Sequence, residues 1–173
     1  FFFNDTATTE IYTRARHDAL SIAAGDLNAI LKFDLMPNGK TDINNNGAFS
    51  TDMIGMNYDY PNADDATRKK IFHDHEIYTK GLLYFIGHDE RMPLNLRQQM
   101  LKWGYPKDEY PDNNHWTPQM YVREVRRMIG DYVMTQANCE GHEKVTDGIG
   151  MAAYTMDSHN CQRLVVNGMV KNE

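Results

Sequence analysis

The sequence predicts an α/β fold of the α+β kind, a mixed sheet with two helices, on three observations. Residues 65–88 carry apolar side chains at helical spacing. Pro93 opens a second, shorter helical run through about Lys102. The last third of the chain holds apolar runs of strand length, at 149–156, at 164–170 and, in one of two readings, at 121–135. At 173 residues the chain is long enough for one domain with a sizeable core.

Residues 1–22 stand apart from this plan. Asn4 to Thr13, NDTATTEIYT, resembles the conceptual translation of a common sequencing adapter, AAT GAT ACG GCG ACC ACC GAG ATC TAC AC, and His17-Asp18-Ala19-Leu20 resembles its continuation, with departures at Arg14–Arg16 and at Ser21. The segment has neither an initiating Met nor the apolar core of a signal peptide. It is read as a non-native segment ahead of a domain at 23–173; the alternative is an N-terminal strand through TTEIYT.

Ala23 to Met36 shows no clear period. Pro37-Asn38-Gly39 marks a turn. The polar loop that follows offers a cation, a carboxylate and amides in Lys40, Asp42, Asn44, Asn45 and Asn46; an Asx-rich turn bonding its own backbone is the alternative use. Ser50 to Tyr60 reads as loop and short extended pieces. Asp64 then caps the first helix, with Asp65 favourable in its first turn. Ile71, His75, Tyr78, Leu82 and Phe85 form its apolar face, reinforced by Phe72, Leu83 and Ile86. On the second helix the apolar contacts are Leu94, Leu96, Met100 and Leu101, and Gly104 is the stop.

His73, Asp74, His75 and Glu76 invite a metal reading, but His75-Glu76 lacks the second His of H-E-x-x-H, because Thr79 stands there. Residues two apart on a helix also point in different directions. Trp103 and Trp116 bracket a Pro-, Asp- and Asn-rich loop. Aromatics beside amides suit a sugar-binding surface; anchoring of the loop is the commoner use. The two cysteines, Cys139 and Cys161, are too few for a disulfide framework and read as buried thiols.

Tyr121 to Thr135, YVREVRRMIGDYVMT, fits two periods. As a strand it places charges on both faces, which requires paired, partly buried groups. As a helix it solvates Arg123, Glu124, Arg126 and Arg127 opposite an apolar face. Gln136 to Asp147 reads as loop or a short helical turn. Ile149 to Met156 reads as a strand delivering Asp157, Ser158 and His159 to its end, and Leu164 to Val170 as strand with a turn at Asn167-Gly168.

Charge and hydropathy bound the function. A formal net charge of −6 argues against a nucleic-acid partner. No apolar run approaches the roughly 18 residues of a transmembrane helix. Asp157, Ser158 and His159 do not make a catalytic triad by adjacency, since nucleophile and base must converge in space and G-x-S-x-G is absent.

The arginine-rich run resembles a strand of a family of FAD-dependent oxidoreductases found in bacterial genomes. NGKTDINNNGAFSTDMIGMNYDYP at 38–61, WGYPKDEY at 103–110 and GMAAYTMDSHNCQR at 150–163 are similar to further blocks of that family, in family order, over roughly residues 30–173. The resemblance favours the strand reading of 121–135. It implies an oxidoreductase using FAD, with this chain a part of the substrate domain of a two-domain flavoprotein. The flavin-binding domain would lie largely outside the chain, because G-x-G-x-x-G after a first strand is absent. It implies His159, oriented by Asp157, as base; Arg123, Arg126 and Arg127 as binders of anionic groups on flavin or substrate, or as braces of the site through Glu124; and Lys40, Asp42, Asn44 and Asn45 as contacts to a small polar substrate, a sugar or an organic acid. A non-catalytic carbohydrate-binding or interaction module is the alternative.

Overall fold

The computed structural model describes residues 25–43, 50–122, 126, 128–156 and 160–172, with no side-chain detail for 169–172. The chain divides into two units, Phe1–Val122 with Asn160–Glu173, and Arg123–His159.

Three helices build the core of the first unit. Helix α1 spans Leu27–Leu31, α2 spans Asp65–His88 and α3 spans Leu94–Met100. Leu27, Ile30 and Leu31 of α1 meet Leu82 and Ile86 of α2 and Leu96 and Met100 of α3, with Met92 between the latter two. Phe33, Ile43, Leu83, Phe85 and Trp103 pack around this cluster. Helix α2 has the bounds its sequence predicts. The Asp64 carboxylate accepts the Thr67 N–H at 2.8 Å, which lowers its pKa, and Asp65 lies in the first turn. On α3 only Leu96 and Met100 are buried; Leu94 and Leu101, expected as apolar contacts, face water.

Helix α1 lies in the stretch where the sequence shows no pattern. Five residues are too few to hold a helix by propensity, and this one is held from outside. The Gln99 side chain accepts the Leu27 N–H at 3.1 Å and donates to the Gly25 carbonyl at 2.7 Å. Asn95 donates to the same carbonyl at 3.1 Å. Gly25 has φ +68° and lies so close to Asn95 that a Cβ would sit 2.1 Å from Nδ2.

The strands form two separate antiparallel ribbons among the described residues, where a mixed sheet was expected. Strands β1 (Phe33–Leu35) and β2 (Thr41–Ile43) pair Phe33 with Ile43 and Leu35 with Thr41, around the turn expected at Pro37-Asn38-Gly39. Strands β3 (Arg163–Val166) and β4 (Met169–Asn172) meet at Asn167-Gly168, both with positive φ, the two-residue hairpin turn that Asn-Gly favours. The fold is thus α+β.

The second unit departs from expectation. Among its described residues the regular element is α4, Gln136–Cys139, a short helical turn as read from sequence, with Asn138 Oδ1 accepting the Thr135 N–H at 2.8 Å. The described residues of 121–135 are neither buried strand nor helix, and those of 149–156 are not a strand. Ile129 is 99 % exposed and Met151 103 %. The physical reason is the absence of a ladder: a strand needs a paired neighbour to satisfy its backbone, and none is present among the described residues of this unit. Arg123, Glu124, Val125 and Arg127 lie outside those residues. The thiols also differ from expectation. Cys139 and Cys161 are both exposed, and α4, which carries Cys139, buries none of its residues.

Candidate functional site

Of the residues proposed from sequence, Lys40, Asp42 and Arg126 are described; Asn44, Asn45, Arg123, Arg127, Asp157 and His159 lie outside the described residues. Lys40 and Asp42 share the β1–β2 ribbon. Arg126 belongs to the second unit, where its residue is exposed.

Lys40 closes the turn of the ribbon, its N–H donating to Asn38 Oδ1 at 3.1 Å. Its ammonium pairs with Glu109, and with Asp108 at 2.9 Å. These hydrogen bonds raise the lysine pKa, with Glu109 the larger cause, and the Lys40 hydrogen bond lowers that of Asp108. A cation met by two carboxylates is a brace across 68 and 69 residues of chain, and it leaves the locality negative. Asp42 is exposed and sits opposite Asp34 in the ribbon register. Like charges directly opposed across a ribbon repel, and Lys32 Nζ, 3.6 Å from Asp34, offsets part of that repulsion. This end of the ribbon therefore favours neutral or cationic polar groups over anions.

The loop that supplies Asp108 and Glu109 is itself anchored to α2. Lys80 Nζ lies 4.7 Å from the centre of the Trp116 ring and 5.8 Å from that of Tyr105, while its ammonium pairs with Glu76 one helical turn back. Tyr105 meets Trp116 edge-on at 5.3 Å, and burial pushes its phenol pKa up. Trp103 stacks on Phe33 at 5.0 Å. Both tryptophans are thus engaged in holding loop and ribbon against the helices. Glu76, part of the cluster that invited a metal reading, is the partner of Lys80, and His75 Nδ1 lies 2.7 Å from the Ile71 carbonyl.

A third cluster was not foreseen. The Tyr78 hydroxyl donates to the Ser50 carbonyl at 2.8 Å and accepts from Arg163 Nη1 at 3.2 Å. Beside it, the Thr79 hydroxyl donates to the Thr51 carbonyl at 3.3 Å. Ser50 is 1 % exposed. The sequence signal for Tyr78 was helical spacing alone, which reports a buried ring and says nothing of its hydroxyl.

Held against the geometry of a dinucleotide, the described residues do not fit the pyrophosphate. The grip on that group is a glycine-rich strand-to-helix turn whose free N–H groups face the phosphates. Among the described residues the one long helix, α2, has its N-terminus filled by the Asp64 carboxylate with Asp65 behind it. Two acids there repel a phosphate.

A sequence model of the family described as FAD dependent oxidoreductase matches residues 3–172. That span begins inside the segment read as adapter-derived. No curated protein matches, and no solved structure matches.

Proposed function

We propose that this chain, which belongs to the FAD-dependent oxidoreductase family, supplies substrate-facing surface to a flavoenzyme whose reaction is two-electron, hydride-type transfer between a small polar organic substrate and flavin. The observation that carries the reading is the family match over nearly the whole chain, set beside described residues that offer the pyrophosphate no cradle. FAD is the cofactor of the family, and its binding domain is proposed to lie largely outside this chain. His159, oriented by Asp157, is proposed to take or give the proton at its imidazole, a group that titrates near neutrality. Arg123, Arg126 and Arg127 are proposed to hold anionic groups of flavin or substrate. Asp42, Asn44 and Asn45 are proposed to contact substrate, with Lys40 fixing their ribbon through Asp108 and Glu109.

The negative environment of Lys40 and Asp42 favours a neutral polyol or sugar over an acid at that end of the site. A non-catalytic sugar-binding module draws no support from the tryptophans, which are engaged with Phe33, Lys80 and Tyr105. Absorbance spectroscopy tests the assignment. The chain expressed alone should be colourless, and the longer gene product should carry bound flavin. Stoichiometric flavin on the isolated chain would overturn the placement of the binding domain, and a colourless, sugar-binding longer product would overturn the enzyme.

A further inference from the structure

We propose that Asp108 and Glu109 are the specificity-determining residues of the ribbon that bears Lys40 and Asp42. By holding the Lys40 ammonium between them, they close that end to carboxylates and phosphates and leave it open to neutral polyols. The proposal rests on the substrate-facing role of the ribbon and names the residues that set the charge of what it accepts.

A lysine beside a ribbon turn is ordinarily an anion binder, a compact charge with three N–H donors. Here both neighbouring carboxylates have taken it. Glu109 pairs with the ammonium, and Asp108 Oδ2 lies 2.9 Å from Nζ. The Lys40 side chain is 26 % exposed, against 72 % for Asp108 and 43 % for Glu109, so an approaching solute meets the carboxylates first. One cation between two anions leaves a net negative charge. That charge repels a further anion, whereas a hydroxyl group can donate to either carboxylate.

The loop behind the carboxylates is shaped for this presentation. Three non-glycine residues in it adopt the left-handed region: Tyr110 at φ +49°, Asn114 at +52° and His115 at +61°. Such backbone is costly, persists only where its surroundings over-determine it, and gathers at functional segments. The surroundings are in place. His115 Nδ1 lies 2.9 Å from the Glu109 carbonyl, and the His115 N–H donates to the Tyr110 carbonyl at 2.9 Å. Asn113 Nδ2 donates to the Trp116 carbonyl at 2.9 Å, and the Trp116 ring lies against Lys80 of α2. Asp108 and Glu109 are thereby held on an ammonium 68 and 69 residues away in sequence. Exposed ion pairs contribute little to stability. A strained, anchored loop that presents two of them therefore argues for selection of a ligand rather than for stability.

The test uses the full chain and needs neither flavin nor substrate. N-hydroxysuccinimide acetate is neutral and its sulfonated form is an anion, and both deliver the same acetyl group to a lysine amine. The ratio of their rates at one lysine, mapped by mass spectrometry at low salt, reads local charge and cancels changes in amine exposure or pKa. In Asp108→Asn/Glu109→Gln the anionic-to-neutral ratio at Lys40 should rise about two- to fourfold for each charge removed, the factor a unit charge about 5 Å away exerts through water. The ratio at the exposed Lys69 should stay as in wild type. The charge-conserving Asp108→Glu should keep the wild-type ratio at Lys40. An unchanged Lys40 ratio in the double variant, or a rise shared by Lys69, would overturn the proposal. Should the double variant fail to fold, Asp108→Asn alone, at the more exposed carboxylate, is read by the same ratio. Failure here leaves the flavoenzyme assignment standing, and a colourless longer gene product would remove that assignment without moving the ratio.

Discussion

The helical core at 25–122 and the stretch 126–156 are both rich in Met, Ile and Tyr, yet their apolar side chains meet opposite fates. Leu31, Ile86 and Leu96 are fully buried, whereas Met128, Ile129, Ile149, Met151 and Tyr154 are almost wholly exposed. Hydrophobicity sets what a residue gains by burial, about 25 cal/mol per Å². Whether the gain is realised depends on a second surface of matching period. Helix α2 has such surfaces in α1 and α3, both held close by side-chain bonds to Gly25 and Leu27. Among the described residues of 126–156, no element buries an apolar face.

The sharpest way to break this comparison is truncation. Leu96→Ala or Ile86→Ala should cost about 2–5 kcal/mol in urea unfolding, as for other fully buried side chains. Met151→Ala should change stability by under about 0.5 kcal/mol. Equal costs would show that 149–156 buries its side chains in solution.

Glycine substitution gives the next largest contrast. Gly25→Ala forces a Cβ onto Asn95 Nδ2 at positive φ and should cost about 1–3 kcal/mol by thermal unfolding. Gly150 has open space around it, so Gly150→Ala should lie within about 1 kcal/mol of wild type. A neutral Gly25→Ala would mean that the α1 cap opens at little cost.

A smaller effect follows from charge. Asp64, Asp89 and Asp108 all have lowered pKa values in the core-bearing unit, through the Thr67 backbone N–H, the Arg91 side chain and Lys40 respectively. A depressed folded pKa contributes stability above the unfolded value of about 3.9, lost as pH falls through the folded value. Lys40, raised chiefly by Glu109 and then by Asp108, contributes below about 10.4 and loses its share as pH rises through its folded value. The share these four groups contribute should therefore be flat between those limits and fall at both ends. In a denaturation series against pH, Asp108→Asn should flatten part of the acid limb, and Lys40→Met should flatten part of both. Unchanged limbs would remove the brace from solution.

Least of all should be deletion of residues 1–22, which is expected to leave the melting temperature unchanged if they are adapter-derived. A loss of several degrees, on the order of 1–2 kcal/mol for a chain of this size, would assign them to the fold.

What the sequence made legible follows from range. Asp64, the apolar spacing of 65–88, Pro93 and Asn167-Gly168 act within a few residues, and each lies where it was read. Helix α1 has a local cap in Asp26, which accepts the Asn28 N–H, but five residues show no period, and the ties that hold it come from Gln99, 72 and 74 residues away. Exposure of the described residues 128–135 was unreadable because periodicity reports a face and not its partner. At the candidate site, Lys40 and Asp42 are placed on one ribbon, but the identity of Lys40's partners, Asp108 and Glu109, rests on long-range packing that no local pattern encodes.

The distance between Gly25 and its cap also fixes an order of assembly. Helices α2 and α3 are neighbours in sequence and can meet after closing a short loop, whereas α1 must close about seventy residues before Asn95 and Gln99 can receive it. The expected order has the α2–α3 pair as the nucleus, with α1 and its ribbon arriving after the rate-limiting barrier. On that order Gln99→Ala, which leaves the α2–α3 contact intact, should speed unfolding in a stopped-flow chevron and leave the refolding limb nearly unmoved. The ribbon bearing Lys40 and Asp42 would then be the last of the described site elements to form and the first to be released.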